Sequence, residues 1–266
     1  MKIKLFFVVL TGILSISFAA IFVRFCEDVP PLIIAAYRLS MASVIIIFFF
    51  KYRGYKLKEI SKRNMVMSVI SGGVLSLHFV TWFTSIKLTS VASSVVLVTT
   101  SPIFVGIFSY LFMRERQNAS IVSGIIMSFV GSVILTFGDS GGFNELDFGG
   151  RAILGDVFAL IGAIAAAVYF MIGSKVRNSL DIVPYITITY TSSAVFLLIA
   201  SFFSPYHFLG YKTSSYISMF MLAIVPQLVG HTSLNWLYQP WGSLSGQLYS
   251  RLFYLGRRLT NFNLWG

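Results

Sequence analysis

The chain has 266 residues, of which 56% are hydrophobic and 11% are charged, and its formal net charge is +11. A charged fraction this far below the roughly 25% of a typical soluble domain excludes an ordinary water-soluble fold. The basic balance does not indicate nucleic-acid binding, because Lys and Arg lie between apolar stretches and form no amphipathic basic face. The chain has one cysteine and no cluster of metal-ligand residues, so we expect no internal disulfide, metal or other cofactor.

About eight apolar stretches are long enough to cross a bilayer as helices. In chain order they are residues 4–23, 31–50, 65–86, 89–113, 119–138, 153–174, 182–203 and 214–236. The sequence therefore predicts an all-α integral membrane protein, a bundle of about eight transmembrane helices. No convincing cleavage site follows the first stretch, so we expect it to be a retained span and not a signal peptide.

Lys and Arg are distributed unevenly between the two sides of such a bundle. Twelve lie on the side of the N-terminus and four lie in the opposite connectors. The twelve are Lys2, Lys4, Lys51, Arg53, Lys56, Lys58, Lys62, Arg63, Arg114, Arg116, Lys175 and Arg177, and the four are Arg24, Lys87, Arg151 and Lys212. Because cytoplasmic connectors carry the excess of positive charge, we expect a multi-pass cell-membrane protein with its N-terminus in the cytoplasm.

An internal repeat is indicated by residues that match at a constant offset of 153 positions. The matched pairs are Pro31 with Pro184, Tyr37 with Tyr190, Ser40 with Ser193, and His78 with His231. They pair the second helix with the seventh and the third with the eighth. If each repeat holds five helices, the second copy is inverted in the membrane, an arrangement that recurs in secondary transporters. We therefore expect the second and seventh helices to run antiparallel.

Several segments carry a resemblance to a known family. Residues 35–39 (AAYRL) are similar to an arginine motif of the second helix, and 82–116, with Pro102 and Glu115, are similar to a third-to-fourth helix signature. Gly124–Gly138 resembles a glycine-spaced fifth helix, and 155–169 and 230–236 resemble parts of a second repeat. The chain thus resembles the drug/metabolite transporter superfamily, specifically its EamA-type members. That resemblance implies ten helices in two repeats and transport of small metabolites, either amino-acid-like or drug-like.

The family pattern fails after Trp236. Residues 237–266 include Pro240, Gly242 and three arginines, which argue against regular spanning helices. The expected organisation is a first five-helix repeat at 1–138, an outer loop at 139–152, three clear helices of a second repeat at 153–236, and a degenerate or truncated tail at 237–266. An inactive remnant of a transporter is therefore the alternative to an active one. The nucleotide sequence after the Trp236 codon would distinguish the two.

Arg38 is the first candidate for the substrate pathway. It lies about seven residues inside the second span, or roughly 10 Å deep at 1.5 Å per residue. A charge at that depth normally faces the bundle interior or a wet cavity. It could serve as counter-charge to an anionic group such as a substrate carboxylate. The alternative is that it snorkels outward or bonds carbonyls at a helix end.

Two histidines and a set of aromatic and amide residues are the other pathway candidates. His78 and His231 could relay protons or hydrogen-bond the substrate, or they could fix helix packing through interhelical hydrogen bonds. Proton coupling and uncoupled facilitation both stay open. An aromatic, weakly polar cavity could be lined by Tyr37, Trp82, Tyr169, Tyr190, Asn235 and Trp236. For the tryptophans, an interfacial belt is the alternative.

Three further residues have predicted structural roles. Pro102 lies mid-span and predicts a kink, either a gate hinge or a static bend. Glu115 is expected to form an interfacial ion pair with a flanking arginine, and Gly124 to allow close helix contact.

No paired carboxylates or nucleophile–base set lies within the spans, so an intramembrane enzyme is disfavoured. The expected partners are a small-molecule metabolite and the lipid bilayer, and nucleic acid is not expected. A homodimer would bury the face that absent helices leave exposed.

Overall fold

The structure, a computed structural model, describes residues 2–113, 119, 122–124, 126–127, 129–131, 134 and 150–237. The regular structure of these residues is helical, which confirms the predicted all-α class. The helices are α1 (Lys2–Arg24), α2 (Pro31–Tyr52), α3 (Lys62–Leu88), α4 (Val91–Val98), α5 (Ser101–Met113), α6 (Gly150–Arg177), α7 (Ile182–Phe202), α8 (Thr213–Leu222) and α9 (Thr232–Leu237). A π-helical segment, Ala223–His231, joins α8 to α9, and a single 3-10 turn covers Leu57–Glu59.

Within the described residues, seven helical stretches are long and apolar enough to cross a membrane. They correspond to the predicted spans except 119–138, which lies partly outside the described residues and appears as a shorter apolar helix within Val122–Gly131. The outer surface of the bundle carries exposed large apolar side chains, including Phe48, Phe202 and Phe203. Such a surface is stable against lipid and not against water.

The helices begin where the sequence supplies start signals. Pro31 is the first residue of α2, a position where its missing N–H has no intrahelical partner to lose. The side chains of Ser61 and Ser90 accept hydrogen bonds from backbone nitrogens at the starts of α3 and α4. Gly54 follows α2 with φ of 75°, a conformation that suits glycine in the turn after the helix.

Two of the predicted spans are not regular helices. The span predicted at 89–113 is divided into α4 and α5 by a turn at Thr99–Thr100, and Pro102 lies in the first turn of α5. The side chains of both threonines donate to backbone carbonyls of α4. The span predicted at 214–236 contains the π segment, with Pro226 inside it. The predicted span lies within the apolar helical stretch Thr213–Trp236, and the helix type changes there because proline cannot donate the hydrogen bond that an α-helix requires.

The second and seventh predicted helices run antiparallel. Near the start of α2, the Tyr37 hydroxyl donates to the carbonyl of Phe208, which follows the end of α7, at 2.8 Å. Just after α2, the Tyr55 hydroxyl donates to the carboxylate of Asp181, which precedes α7, at 3.3 Å. The start of each helix therefore lies beside the end of the other, as the inverted arrangement requires.

The same opposed pairing recurs in the neighbouring helices. The start of α6 lies against the end of α3, where Gly155 approaches Leu88 and Thr89. The start of α8 lies beside the end of α1, because the Ser215 hydroxyl donates to the carbonyl of Phe25 at 3.5 Å. We call the end of the bundle that holds connectors 53–61 and 178–181 the basic end. The end that holds connectors 25–30, 89–90 and 203–212 is the opposite end.

Candidate functional site

Arg38 is fully buried in the centre of the bundle. Its Nε donates to the side-chain oxygen of Gln227 at 2.8 Å, and its guanidinium carbon stands 4.0 Å from the ring centre of Phe79. A second ring, Phe83, lies 5.7 Å away. The two terminal nitrogens, Nη1 and Nη2, have no hydrogen-bond partner among the described residues. This arginine therefore neither snorkels to an interface nor caps a helix end. It presents two free donor groups inside the protein.

Gln227 is brought to Arg38 by the π segment. Pro226 interrupts α-helical hydrogen bonding one residue earlier, and the wider turn changes the direction of the side chains that follow. Gln227 is fully buried, and its amide nitrogen has no hydrogen-bond partner among the described residues. Gln227 is not among the pathway residues predicted from the sequence. A proline followed by a glutamine inside an apolar span was the signal that could have identified it.

The rings of His78 and His231 lie next to each other inside the bundle. Nδ1 of His78 lies 2.8 Å from the carbonyl oxygen of Gly162, so this nitrogen carries a proton, because a carbonyl only accepts. The His78 ring stacks on Trp82, with ring centres 5.8 Å apart, and lies 6.3 Å from the ring of His231. Nδ1 of His231 and Nε1 of Trp82 are buried without hydrogen-bond partners in the described part of the chain.

Asn235 ties the last helix to the remaining aromatic residues. Its amide nitrogen donates to the Tyr169 hydroxyl at 2.5 Å and to the His231 carbonyl at 2.7 Å. The hydroxyl of Tyr190 lies 3.4 Å from that of Thr232. Both tyrosines are fully buried. The histidine and the asparagine, four residues apart, therefore share one helix face and point at the same neighbours.

These side chains form one connected group, which we call the central cluster. It consists of Arg38, His78, Trp82, Tyr169, Tyr190, Gln227, His231 and Asn235, with Phe79 and Phe83 beneath the guanidinium. Arg38 carries a full positive charge there, and no carboxylate belongs to the group. Most of the cluster atoms that lack a hydrogen-bond partner among the described residues are nitrogen donors. The arrangement therefore suits a ligand that carries a negatively charged acceptor.

At both ends of the bundle, polar contacts join residues of the N-terminal half of the chain to residues of the C-terminal half. At the opposite end, Asp28 accepts hydrogen bonds from the backbone nitrogen of Lys212 at 2.7 Å and from the Ser215 hydroxyl at 2.5 Å. Both hydrogen bonds lower the pKa of Asp28, and the bond from Ser215 has the larger effect. At the basic end, the Asn64 amide donates to the Ser179 hydroxyl at 3.0 Å.

A cavity of about 480 Å³ lies at the basic end, where the two connectors meet. Tyr55 and Glu59 line it on one side, and Arg177 and Asn178 on the other. It lies near the ends of α2 and α6, whereas the central cluster lies near the middle of the helices. The cavity and the central cluster are therefore separate features of the bundle.

Comparison with known proteins agrees with the fold. Residues 3–137, half of the chain, match the model of the EamA-like transporter family. The chain belongs to this family. Over 172 residues it is 24% identical to an uncharacterized transporter of Archaeoglobus fulgidus, covering 65% of this chain and 57% of that protein. Over 213 residues it is 22% identical to the uncharacterized transporter YdfC of Bacillus subtilis, covering 79% and 66%.

A solved structure superposes on this EamA-like chain with a TM-score of 0.72 at 19% identity, covering 100% of this chain and 91% of the other. At that identity the likeness shows the fold alone. The chain spans 57% of the Archaeoglobus fulgidus relative and 40% of another Bacillus subtilis relative, the uncharacterized transporter YxxF. It therefore spans about half the length of these relatives.

The EamA-like fold does not bring every predicted pathway residue to the central cluster. Tyr37 points toward the opposite end, where its ring contacts Tyr216 at a centre distance of 5.8 Å. Trp236 is half-buried and follows Asn235 directly, so it projects about 100° away from it around the helix. Gly124 is exposed, and an added Cβ would have open space around it among the described residues. Glu115 lies outside the described residues.

Proposed function

We propose that this protein is a secondary transporter that moves small metabolites, amino-acid-like or drug-like, across the cell membrane by alternating access. The observation that carries the proposal is Arg38, a buried cation with two free donor nitrogens at the centre of the bundle. A charge buried in a membrane bundle is costly, and such residues usually mark a substrate or ion pathway. In transporters built from inverted repeats, the substrate site lies near the midplane, between the repeats.

The two repeats are proposed to be residues 1–138 and 153–236. The opposed pairings α2 with α7, α3 with α6, and α1 with the last span support the proposal, because an inverted copy would produce these pairs. The predicted loop 139–152 and tail 237–266 lie largely outside the described residues. The cytoplasmic location of the N-terminus stays a prediction.

Movement between the repeats would open one end of the bundle at a time. Opening the basic end would break Tyr55–Asp181 and Asn64–Ser179. Opening the opposite end would instead break the contacts of Asp28 with the start of α8 and that of Tyr37 with the 203–212 connector. The central cluster lies between these two sets of contacts. Substrate held there would be exposed first to one side of the membrane and then to the other.

Flux through reconstituted protein tests the proposal. Purified protein is placed in liposomes, and uptake of a panel of labelled metabolites is measured for wild type, Arg38→Ala and His78→Ala. The matched controls are Arg53→Ala and His207→Ala, which remove an exposed arginine and an exposed histidine from connectors. We expect the Arg38 variant to lose flux and both controls to retain it. Equal flux in wild type and both central variants would exclude these residues from the pathway.

A further inference from the structure

We infer that the central cluster selects monocarboxylates that lack an ammonium group, such as 2-hydroxy acids, over the corresponding amino acids. The inference rests on the proposed transport function and narrows its substrate class. It starts from the charge balance of the central cluster. Arg38 has no carboxylate within 4.0 Å among the described residues. The aspartates of the surrounding helices and connectors lie toward the ends, where Asp156 bonds Ser93, and Asp28 and Asp181 bond connector residues.

The guanidinium is held in a way that leaves its carboxylate-binding edge free. Nε is used by Gln227, and the ring of Phe79 lies under the guanidinium carbon. The two terminal nitrogens, which can bind both oxygens of one carboxylate, have no partner in the described part of the chain. One ligand carboxylate there would neutralise the buried charge and satisfy both nitrogens.

The remaining free groups of the central cluster are also mostly donors. The amide nitrogen of Gln227 and the indole nitrogen of Trp82 are buried and lack hydrogen-bond partners among the described residues. Three nearby carbonyl oxygens each already accept one hydrogen bond: that of Gln227 from Arg38, that of Gly162 from His78, and that of His231 from Asn235. The buried atoms of the central cluster that lack a partner among the described residues are therefore mostly nitrogen donors.

The central cluster is an unfavourable environment for an ammonium group, which needs hydrogen-bond acceptors and a negative charge nearby. An ammonium group only donates, and it would add a second positive charge within a few ångströms of the guanidinium, in a region where water does not screen the repulsion. Two aromatic rings of the central cluster, Phe79 and Phe83, already face the guanidinium. A hydroxyl in the same position is uncharged and both donates and accepts. It can use the free Trp82 nitrogen or His231 Nδ1, which donates or accepts according to its tautomer.

Matched pairs of ligands test the inference in the wild-type protein. Lactate and alanine, 2-hydroxyisocaproate and leucine, and phenyllactate and phenylalanine differ only by hydroxyl against ammonium. Each compound is measured in proteoliposomes for flux and for competition with a labelled member of its pair, with protein-free liposomes as the blank. We expect at least one hydroxy acid to be bound at least 10-fold more tightly than its amino acid. Amino acids that compete equally well or better would overturn the inference and leave the transport proposal intact.

Absence of flux for every compound in the wider metabolite panel would instead overturn the transport proposal, and the inference with it. If other metabolites are transported but no member of the three pairs is, the inferred substrate class alone is wrong. Failure of the transport proposal and failure of the inferred substrate class therefore give different experimental results.

A variant that adds a negative charge tests whether the lack of a carboxylate beside Arg38 causes the preference for hydroxy acids. Gln227→Glu is nearly the same size and places a carboxylate at the position now 2.8 Å from Nε of Arg38. It supplies the missing negative charge within the protein, so we expect the preference for the hydroxy acid to fall at least 10-fold. The matched control is Asn178→Asp, the same amide-to-acid change at an exposed site of the basic end, and its preference should equal that of wild type. An unchanged preference in a folded Gln227→Glu protein would contradict the inference.

Discussion

Asp28 holds the opposite end of the bundle together, and its neutralisation should loosen that end. The carboxylate accepts hydrogen bonds from the Lys212 backbone nitrogen at 2.7 Å and from the Ser215 hydroxyl at 2.5 Å. Hydrogen bonds to a charged group contribute about 1.5–3 kcal/mol each when buried, and less at an exposed site. Asp28→Asn keeps the shape and removes the charge. We expect a loss of about 1 kcal/mol, which raises the open fraction of this end about five-fold.

Cys26 reports that opening without any engineered probe. It is the one cysteine of the chain, it is fully buried, and its thiol donates to the carbonyl of Phe22 at 3.3 Å. Burial raises the pKa of Cys26 from 9.0 to about 11. At pH 8, a shift of that size lowers the reactive thiolate fraction about a hundred-fold. Maleimide labelling of wild type should therefore be slow, and labelling of Asp28→Asn should be about five-fold faster.

The control for charge is Glu27→Gln, which removes a negative charge from the neighbouring exposed residue. If the hydrogen bonds of Asp28 hold the end closed, this control labels at the wild-type rate. Equal labelling rates for Asp28→Asn and Glu27→Gln would refute the reasoning.

The pH dependence follows from the same contact. The pKa of Asp28 is lower in the folded protein than its ordinary value of 3.8. Its stabilisation is therefore fully present above pH 3.8 and is lost as the pH falls through the folded-state value. The difference in melting temperature between wild type and Asp28→Asn should be constant from about pH 5 to 8 and should shrink at lower pH.

Three further predictions concern stability. Gly155→Ala places a Cβ 2.9 Å from the backbone nitrogen that follows α3, so thermal unfolding should show a loss of about 1–3 kcal/mol, while Gly150→Ala, with no atom near the added carbon among the described residues, should be neutral. Asn235→Leu removes two buried hydrogen bonds and should lower the free energy of unfolding by about 1–3 kcal/mol, measured as a lower melting temperature. An unchanged melting curve would contradict the geometry of the central cluster. Arg38→Met removes a buried charge that has no carboxylate partner and should melt at or above the wild-type temperature even though flux is lost, whereas a clear drop would show that the arginine is structural.

The membrane spans could be predicted because the signal is long and repeated. A stretch of about 20 apolar residues has few alternatives to a spanning helix. The predicted spans begin within a few residues of the observed helices, three of which start at or directly after Pro31, Ser61 and Ser90. Hydropathy cannot detect a change of helical type. The π segment is as apolar as an α-helix of the same length, so Pro226 was the only local sign of it.

The central cluster could be predicted in part, and helix geometry explains which part. His78 with Trp82, and His231 with Asn235, are spaced by four residues, and both pairs reached the interior. Tyr37 was included for its aromatic side chain and its match to Tyr190, but it is adjacent to Arg38 and therefore points to another face. Trp236 likewise lies on a different helix face from its neighbour Asn235. Counting helical faces around each buried charge would have separated these cases from the sequence.

The buried guanidinium also constrains how the chain enters the bilayer during synthesis. The hydrogen-bond partner of Arg38 lies 189 residues further along the chain, so α2 must insert before that partner exists. An arginine at a helix centre opposes insertion by about 2.5–3.5 kcal/mol. The run Val44–Phe50 contains only Val, Ile and Phe, and at about −0.3 to −0.6 kcal/mol for each residue it contributes about −2 to −4 kcal/mol. The apolar second half of α2 thus compensates, at the translocon, for the charge that its first half carries to the centre of the finished molecule.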